Sequence, residues 1–455
     1  MRCDAMNTRL PAALLVSALL AGCASYTPSP IHPEKTAQAL TRRTLSDPRL
    51  LRFLAAQLHG SGPPRWNIGT LSLVAVYERP DLPLAEARLR EAQGGETAAA
   101  ALPNPTLQLA PTYDTSTAAP PWTVGPVVSF LIQSYGARPA RIAQARARAE
   151  QARQAIAVTA WQLRSRVRAA MVDLWSAQQA ARLAARRTSL AGRYREVVAQ
   201  RYRAGMVSAA TLTTSTLAFN QAELQLASDR RASQLGRTAL AAALGLPSAA
   251  LEGIGFDMQG IAHPRQPGRL APLAHSALTS RPDVLAALAH YAAAQAALRL
   301  AVAQQYPAID IGPGYHYDQG DNKFILSISL PLPILNQNQG PIAQARAARR
   351  VAADEFVAAQ TKVLAEIDQA RTDWHASESE QISARQLREA ASDALRRQRS
   401  AFAAGQIGRL QLLGAELADV QAQQGAQSAS VHERKALGQL EAALYHPFLV
   451  ANRSQ

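Results

Sequence analysis

Cysteine is nearly missing from this chain of 455 residues: there are two, Cys3 and Cys23, both close to the N-terminus. They supply neither a framework of internal disulfides nor a Cys-based metal site. The nine histidines, from His32 to His446, show no metal-ligand spacing, and five methionines form no stripe, so no metal pathway can be argued. A Gly-rich phosphate loop is absent, and no nucleophile sits in a recognisable motif, which leaves an enzyme without support and calls for no cofactor. Aromatic residues make up 5% of the chain and do not interleave with arginine clusters. The net charge of +15 therefore reads as solvated helix faces, with arginine spread among Glu, Gln and Ala, and not as a nucleic-acid surface.

What is present begins with an export signal. Arg2 and Arg9 precede the apolar run Leu10 to Leu20, too short to span a bilayer, which ends in Leu20-Ala21-Gly22-Cys23. The bacterial lipobox has this form, and resemblance to it implies that Cys23 is acylated and becomes the mature N-terminus. A Ser/Thr/Pro-rich tether, Ala24 to Pro33, follows.

The body of the chain is duplicated. Ile142-Ala143-Gln144-Ala145-Arg146-Ala147 recurs residue for residue as Ile342-Ala343-Gln344-Ala345-Arg346-Ala347. Around each copy, apolar residues step by three and four: Ile142, Ala145, Ala149, Ala152, Ile156 through Leu174, and, with Arg349 interrupting the series, Ile342, Ala345, Ala352, Phe356, Val363 through Trp374. Such spacing keeps one side chain per turn on one stripe, so both copies read as amphipathic helices. The first, free of proline beyond Pro139, runs to Arg203, roughly 98 Å at about 1.5 Å per residue. Rods of that length need lateral partners.

Gly205 and Gly405 suit left-handed caps that reverse each rod into a returning helix, Ala209 to Gly245 and Arg409 to Tyr445, with Ser208 placed to cap the first. Each returning helix is too short to match its rod alone. Shorter helices at Leu84 to Ala101 and Asp283 to Gln304 make up most of the difference if stacked on them end to end. That arithmetic predicts a cylinder wall of alternating continuous and composite rods. Arg79-Pro80-Asp81 and Arg281-Pro282-Asp283 open the short helices in the two halves.

Between short helix and rod the period changes to two. Leu107, Leu109 and Tyr113, then Val124 to Ile132, form one strand pair, with Pro111 and Pro126 at edges or bulges. Ile309, Ile311, Tyr315 and Tyr317, a turn at Gly320-Asp321-Asn322, and Phe324, Leu326, Ile328 and Leu330 form the other. Alternation over about ten residues suits a transmembrane β-strand, and it suits a soluble hairpin as well. The expected organisation is a signal over 1–22, a tether and equatorial segment over 23–80, repeats over 81–246 and 281–445 joined by a Pro/Gly-rich linker over 247–280, and a tail over 446–455.

Several short motifs in this order resemble the TolC-type outer-membrane efflux ducts, in their lipoprotein subgroup. They are the lipobox at Cys23, Pro103-Asn104-Pro105-Thr106-Leu107, the reversals at Gly205 and Gly405, Leu244-Gly245-Leu246-Pro247, and Leu332-Pro333-Ile334-Leu335 with Asn338-Gln339-Gly340. The last resembles the heavy-metal branch. The resemblance implies a mainly α protein with a transmembrane β-barrel, in which a long antiparallel α-helical barrel and four β-strands per protomer close as a homotrimer in outer-membrane lipid. It implies passive export driven by an inner-membrane pump through a periplasmic adaptor protein. It places adaptor-contacting tips at Arg203, Ala204, Gly205, Met206, Val207 and Ser208 and at Ala404, Gly405, Gln406, Ile407 and Gly408, and an entrance gate at Glu416 and Asp419, carboxylates that a solvated helix face explains equally well. The alternative from another class is a lipid-anchored periplasmic scaffold or adaptor whose hairpins stay in water.

Overall fold

A computed structural model describes residues 26–58, 64–116, 121–318 and 320–448; the signal, Cys3 and Cys23 lie outside the described residues. Taken by itself, the segment up to Arg43 holds, among the described residues, the helix α1 (Pro33–Thr41), with Pro33 at its start. The remaining elements in chain order are α2 (Pro48–Leu58), α3 (Ile68–Glu78), α4 (Asp81–Ala100), β1 (Thr106–Leu109), β2 (Thr112–Tyr113), β3 (Trp122–Val124), β4 (Pro126–Ile132), α5 (Ala137–Arg203) and α6 (Ala209–Leu244). The second half supplies α7 (Gln259–Ala262), α8 (Leu270–Ser280), α9 (Pro282–Ala303), β5 (Ile309–Asp318), β6 (Asp321–Ser329), α10 (Gln339–Ala403) and α11 (Arg409–Leu444).

The two rods are α5, of 67 residues, and α10, of 65. Their returning partners α6 and α11 have 36 residues each, and α4 and α9 have 20 and 22. In the lower wall the packing order is α6–α5–α11–α10, and in the upper wall α4–α5–α9–α10. Composite rods thus alternate with continuous ones, as the lengths require. Helix α9 is apolar on most sides because it lies between both rods, burying Val284, Ala289, Ala293 and Ala296. At mid-height α2 and α3 pack on α5 and α6, where Leu50, Leu54, Leu71, Val74, Val167, Met171, Leu174, Leu240 and Leu244 form the largest core.

Three expectations need correction. The stretch from Pro247 to Pro282 is not plain loop: it contains a 3-10 turn (Ser248–Leu251), α7 and α8, and α8 packs its Ala277 beside Val284, Val363 and Leu440. The second hairpin turns earlier than expected, because Asp318 pairs with Asp321 and Tyr317 with Asn322, so Asp321 and Asn322 are already strand. The first pair is broken into four pieces. Pro111 lacks a ladder N–H, and Gly125 approaches its neighbour so closely that a Cβ would lie 1.9 Å from the Tyr315 carbonyl oxygen. The pairing partners on either side of this break (Leu109 with Pro126, Thr112 with Thr123) keep one register, so the strands are interrupted but do not slip.

Candidate functional site

The sheet is a four-strand meander, with β1 and β2 forming the first strand, β3 and β4 the second, then β5 and β6. Cross-strand pairs sort it into two unlike faces. Leu107 with Val128, Leu109 with Pro126, Tyr113 with Trp122, Phe130 with Ile311, Ile311 with Ile328, Pro313 with Leu326 and Tyr315 with Phe324 make one face apolar up to the turn end, where Tyr317 pairs with Asn322. Phe324 is 87% exposed and Leu326 65%. The other face pairs Thr106 with Ser129, Thr112 with Thr123, Gly312 with Ser327 and His316 with Lys323. On it, Cβ atoms at Gly312 and Gly314 would stand 2.9 and 2.8 Å from the Val127 side chain. Glycine there lets the sheet coil tightly around its polar side.

An apolar face turned outward around a polar concave one is the arrangement of a lipid-embedded barrel wall. Tyr113, Trp122, Tyr315, Tyr317 and Phe324 gather at the turn end, with Tyr113 and Trp122 ring centroids 4.9 Å apart. A girdle at the membrane–water boundary has this composition. The outer edges of β1–β2 and of β6 have no strand partner among the described residues. Unpaired edges are not tolerated in hydrocarbon, so the sheet needs further copies of itself.

Below the sheet, two joints hold the composite rods together, a role the sequence reading did not assign. Arg79 donates from Nη1 to the Ala242 carbonyl at 2.9 Å and from Nε to Asp81 at 2.8 Å. In the second repeat Arg281 donates to the Ala443 carbonyl at 2.7 Å and to Asp283 and lies 2.9 Å from Glu366. Each arginine thus covers carbonyls at the end of a returning helix while bonding an aspartate at the start of the next. The Arg79 hydrogen bond holds the Asp81 carboxyl below its ordinary pKa. Burial opposes the charge of Arg281, yet Asp283 and Glu366 outweigh it and raise its pKa. The Tyr445 ring, under Arg281 and stacked on Trp161, is pushed up to about 12 by burial. The Arg-Pro-Asp recurrence was the available signal.

Another site escaped the sequence reading altogether. Arg168 of α5 places Nε 2.9 Å from Glu441 of α11, a carboxylate 1% exposed, and Arg164 reaches the same oxygen at 3.3 Å. Arg168 also donates to the Arg434 carbonyl at 3.1 Å. Its guanidinium fills the space of the missing Cβ at Gly438, 1.8 Å from Nη1. Burial lowers the Arg168 pKa against the pull of Glu441.

The far ends of the rods bring the expected tips together. Gly205 (φ 69) and Gly405 (φ 73) are left-handed. Met206 N–H bonds the Arg201 carbonyl at 2.9 Å and Gln406 N–H the Ala401 carbonyl at 2.8 Å, two equivalent Schellman closures. Ser208 caps α6 by accepting from Thr211 N–H, whereas Gly408 offers α11 no side-chain cap. The Arg201 guanidinium lies against Gly408. Met206 is 66% exposed, with Val207 and Ile407 half-buried behind it. Glu416 and Asp419 stand two turns above. Glu416 is 3.4 Å from Arg399 and 3.9 Å from Arg193, and the buried Asp419 accepts from Gln423 at 2.8 Å with Arg186 at 3.9 Å.

The family model described as "Outer membrane efflux protein" matches residues 74–246 and again 273–445, once per repeat. The cobalt-zinc-cadmium resistance protein CzcC of Cupriavidus metallidurans is 28% identical over 303 residues, covering 65% of this chain and 71% of that protein. Among solved structures, the outer membrane protein VceC of Vibrio cholerae superposes with a TM-score of 0.68 at 20% identity, covering 88% of this chain and 98% of its own. The open-state MtrE outer membrane channel of Neisseria gonorrhoeae gives 0.62 at 19%, covering 83% and 89%. The family match spans both halves of the chain and the sheet faces agree with it: this chain belongs to the outer membrane efflux protein family, as an outer-membrane channel of an efflux system that extends into the periplasm.

Proposed function

We propose that the chain is one protomer of a lipid-anchored homotrimeric duct. In this reading Cys23 carries the lipid, twelve strands close the barrel, and a periplasmic adaptor docked on the tips joins the duct to an inner-membrane pump. The observation that carries it is the open-edged sheet with one apolar face, mounted on a helical wall whose outer flanks are also uncovered. On α6, Leu217, Leu224 and Leu235 are exposed, and on α10, Val351, Val357, Leu364, Ile382 and Leu387. Placing α10 of one copy against α6 and α4 of the next covers both sets and pairs β6 with β1–β2. Export is passive, with the driving force and the choice of cargo belonging to the pump. The chain itself performs no chemistry in this account.

Glu416 and Asp419 are assigned to the entrance, where their arginine partners from α5 and α10 hold α11 to both rods. Reconstitution of the purified protein in planar bilayers tests the duct. A trimeric species should conduct, and Glu416→Gln with Asp419→Asn should raise its open probability; no conducting species under any of these substitutions would sink the reading. Cys23→Ser separates the scaffold alternative, because a barrel stays in urea-washed membranes without its lipid whereas an anchored scaffold is released.

A further inference from the structure

The tips carry a group of arginines, and at one of them, Arg409, local helix stability does not explain the charge. Arg201, Arg203, Arg397 and Arg409 lie within about two turns of the reversals, and no carboxylate pairs with any of them among the described residues. The nearest carboxylates are already engaged or lie further up the rods: Asp393 is 2.5 Å from Arg396, and Glu416 faces Arg193 and Arg399. Arg201 and Arg203 end α5, where a cation suits the helix dipole. Arg409 does the reverse, since it opens α11 at the positive end of the dipole, behind a Gly408 that gives no side-chain cap. A cation there weakens its own helix, so its use lies outside the chain.

All four are arginine, whose planar fork takes a carboxylate in two parallel hydrogen bonds. The same two helix ends expose Tyr202, Met206 and Phe402, so the tips offer apolar side chains together with cations, a mixture suited to a partner surface. Resting on the reading that an adaptor docks here, we propose that these tips select an adaptor whose apex is acidic: a helical hairpin presenting Asp or Glu carboxylates around one or two apolar side chains. A protein fits better than an anionic lipid surface because a duct must continue into a sealed partner at this end.

The test uses the full-length protein in its own outer membrane, with the photo-crosslinker p-benzoylphenylalanine replacing Met206 or Gln406, and mass spectrometry of the captured segment. The expected capture is a helical-hairpin apex with an excess of carboxylates, and Arg397→Glu with Arg409→Glu should cut its yield on the order of tenfold. The unheated trimer band reports that the variant is assembled, and reversing the partner's carboxylates to arginine should restore the yield. A captured apex that is neutral or basic, or a yield indifferent to charge reversal, overturns the charge selection and leaves adaptor docking standing. Capture of lipid with no protein overturns both.

Discussion

Leu326→Arg is the substitution that bears hardest on the membrane reading. Leu326 is 65% exposed and sits at mid-strand, paired with Pro313, in a row that the register continues through Val128 to Leu107. If that face meets hydrocarbon, an arginine at this depth costs about 2–4 kcal/mol per protomer, falling to about 0–1 near the interface. Three well-separated copies add, giving about 6–12 kcal/mol for a trimer, comparable to the whole stability of an ordinary domain. Phe324→Arg, two residues nearer the turn on the same face, should cost far less. Ser327→Arg, adjacent in sequence but on the polar face, should assemble normally and alter only ion selectivity. The assay is the fraction of heat-modifiable trimer in urea-washed membranes. Equal assembly of Leu326→Arg and Ser327→Arg would refute the assignment of faces, because in water the two positions are alike.

Gly438→Ala should destabilise by about 2–4 kcal/mol, since the new methyl displaces a guanidinium held by Glu441, whereas Gly425→Ala on the same helix, with nothing within 4 Å, should gain up to about 1 kcal/mol. In an Arg168→Met background the Gly438→Ala penalty should shrink or reverse, read from denaturant midpoints in detergent. Arg281→Ala should cost about 2–3 kcal/mol and Arg79→Ala about 1 kcal/mol, because Arg281 is buried and bonded to two carboxylates and a carbonyl. Tyr445, raised from 10.0 to about 12, favours the protonated phenol in the folded chain. Its contribution is therefore intact below pH 10 and lost as pH rises from about 10 to about 12. Tyr445→Phe should remove that part of the alkaline loss of stability.

The rods, their reversals and the strand alternation were legible because each is a local rule repeated many times: apolar steps of three and four, a glycine where φ must be positive, period two on a sheet. The hidden features are pairings between distant positions. Nothing near Arg168 announces Glu441, and the one local trace is Gly438, a helix-weakening residue inside α11 that earns its place only when the neighbouring guanidinium is known. Helix α8 was missed because the prolines and glycines around it read as loop, while its apolar face is specified by contact with α10 and α11.

The duplication also misleads in an instructive way, because equivalent positions do not hold equivalent residues. Gly136 and Asn338 both open a rod in the left-handed region, but Asn338 adds a bond from Nδ2 to the Ala301 carbonyl at 2.7 Å. Gly245 and Tyr445 both end a returning helix there. For tyrosine that conformation is strained, and it persists because the ring is held between Trp161 and Arg281. In the first repeat the same place must stay empty, since a Cβ on Gly245 would stand 2.9 Å from Arg79. At the tips, Ser208 caps its helix and Gly408 leaves room for Arg201. Each pair solves one backbone problem twice, and the side chain at that point is set by its neighbour in the wall. Substitutions chosen to make the halves alike should therefore damage the joints and tips first, while leaving the rods intact.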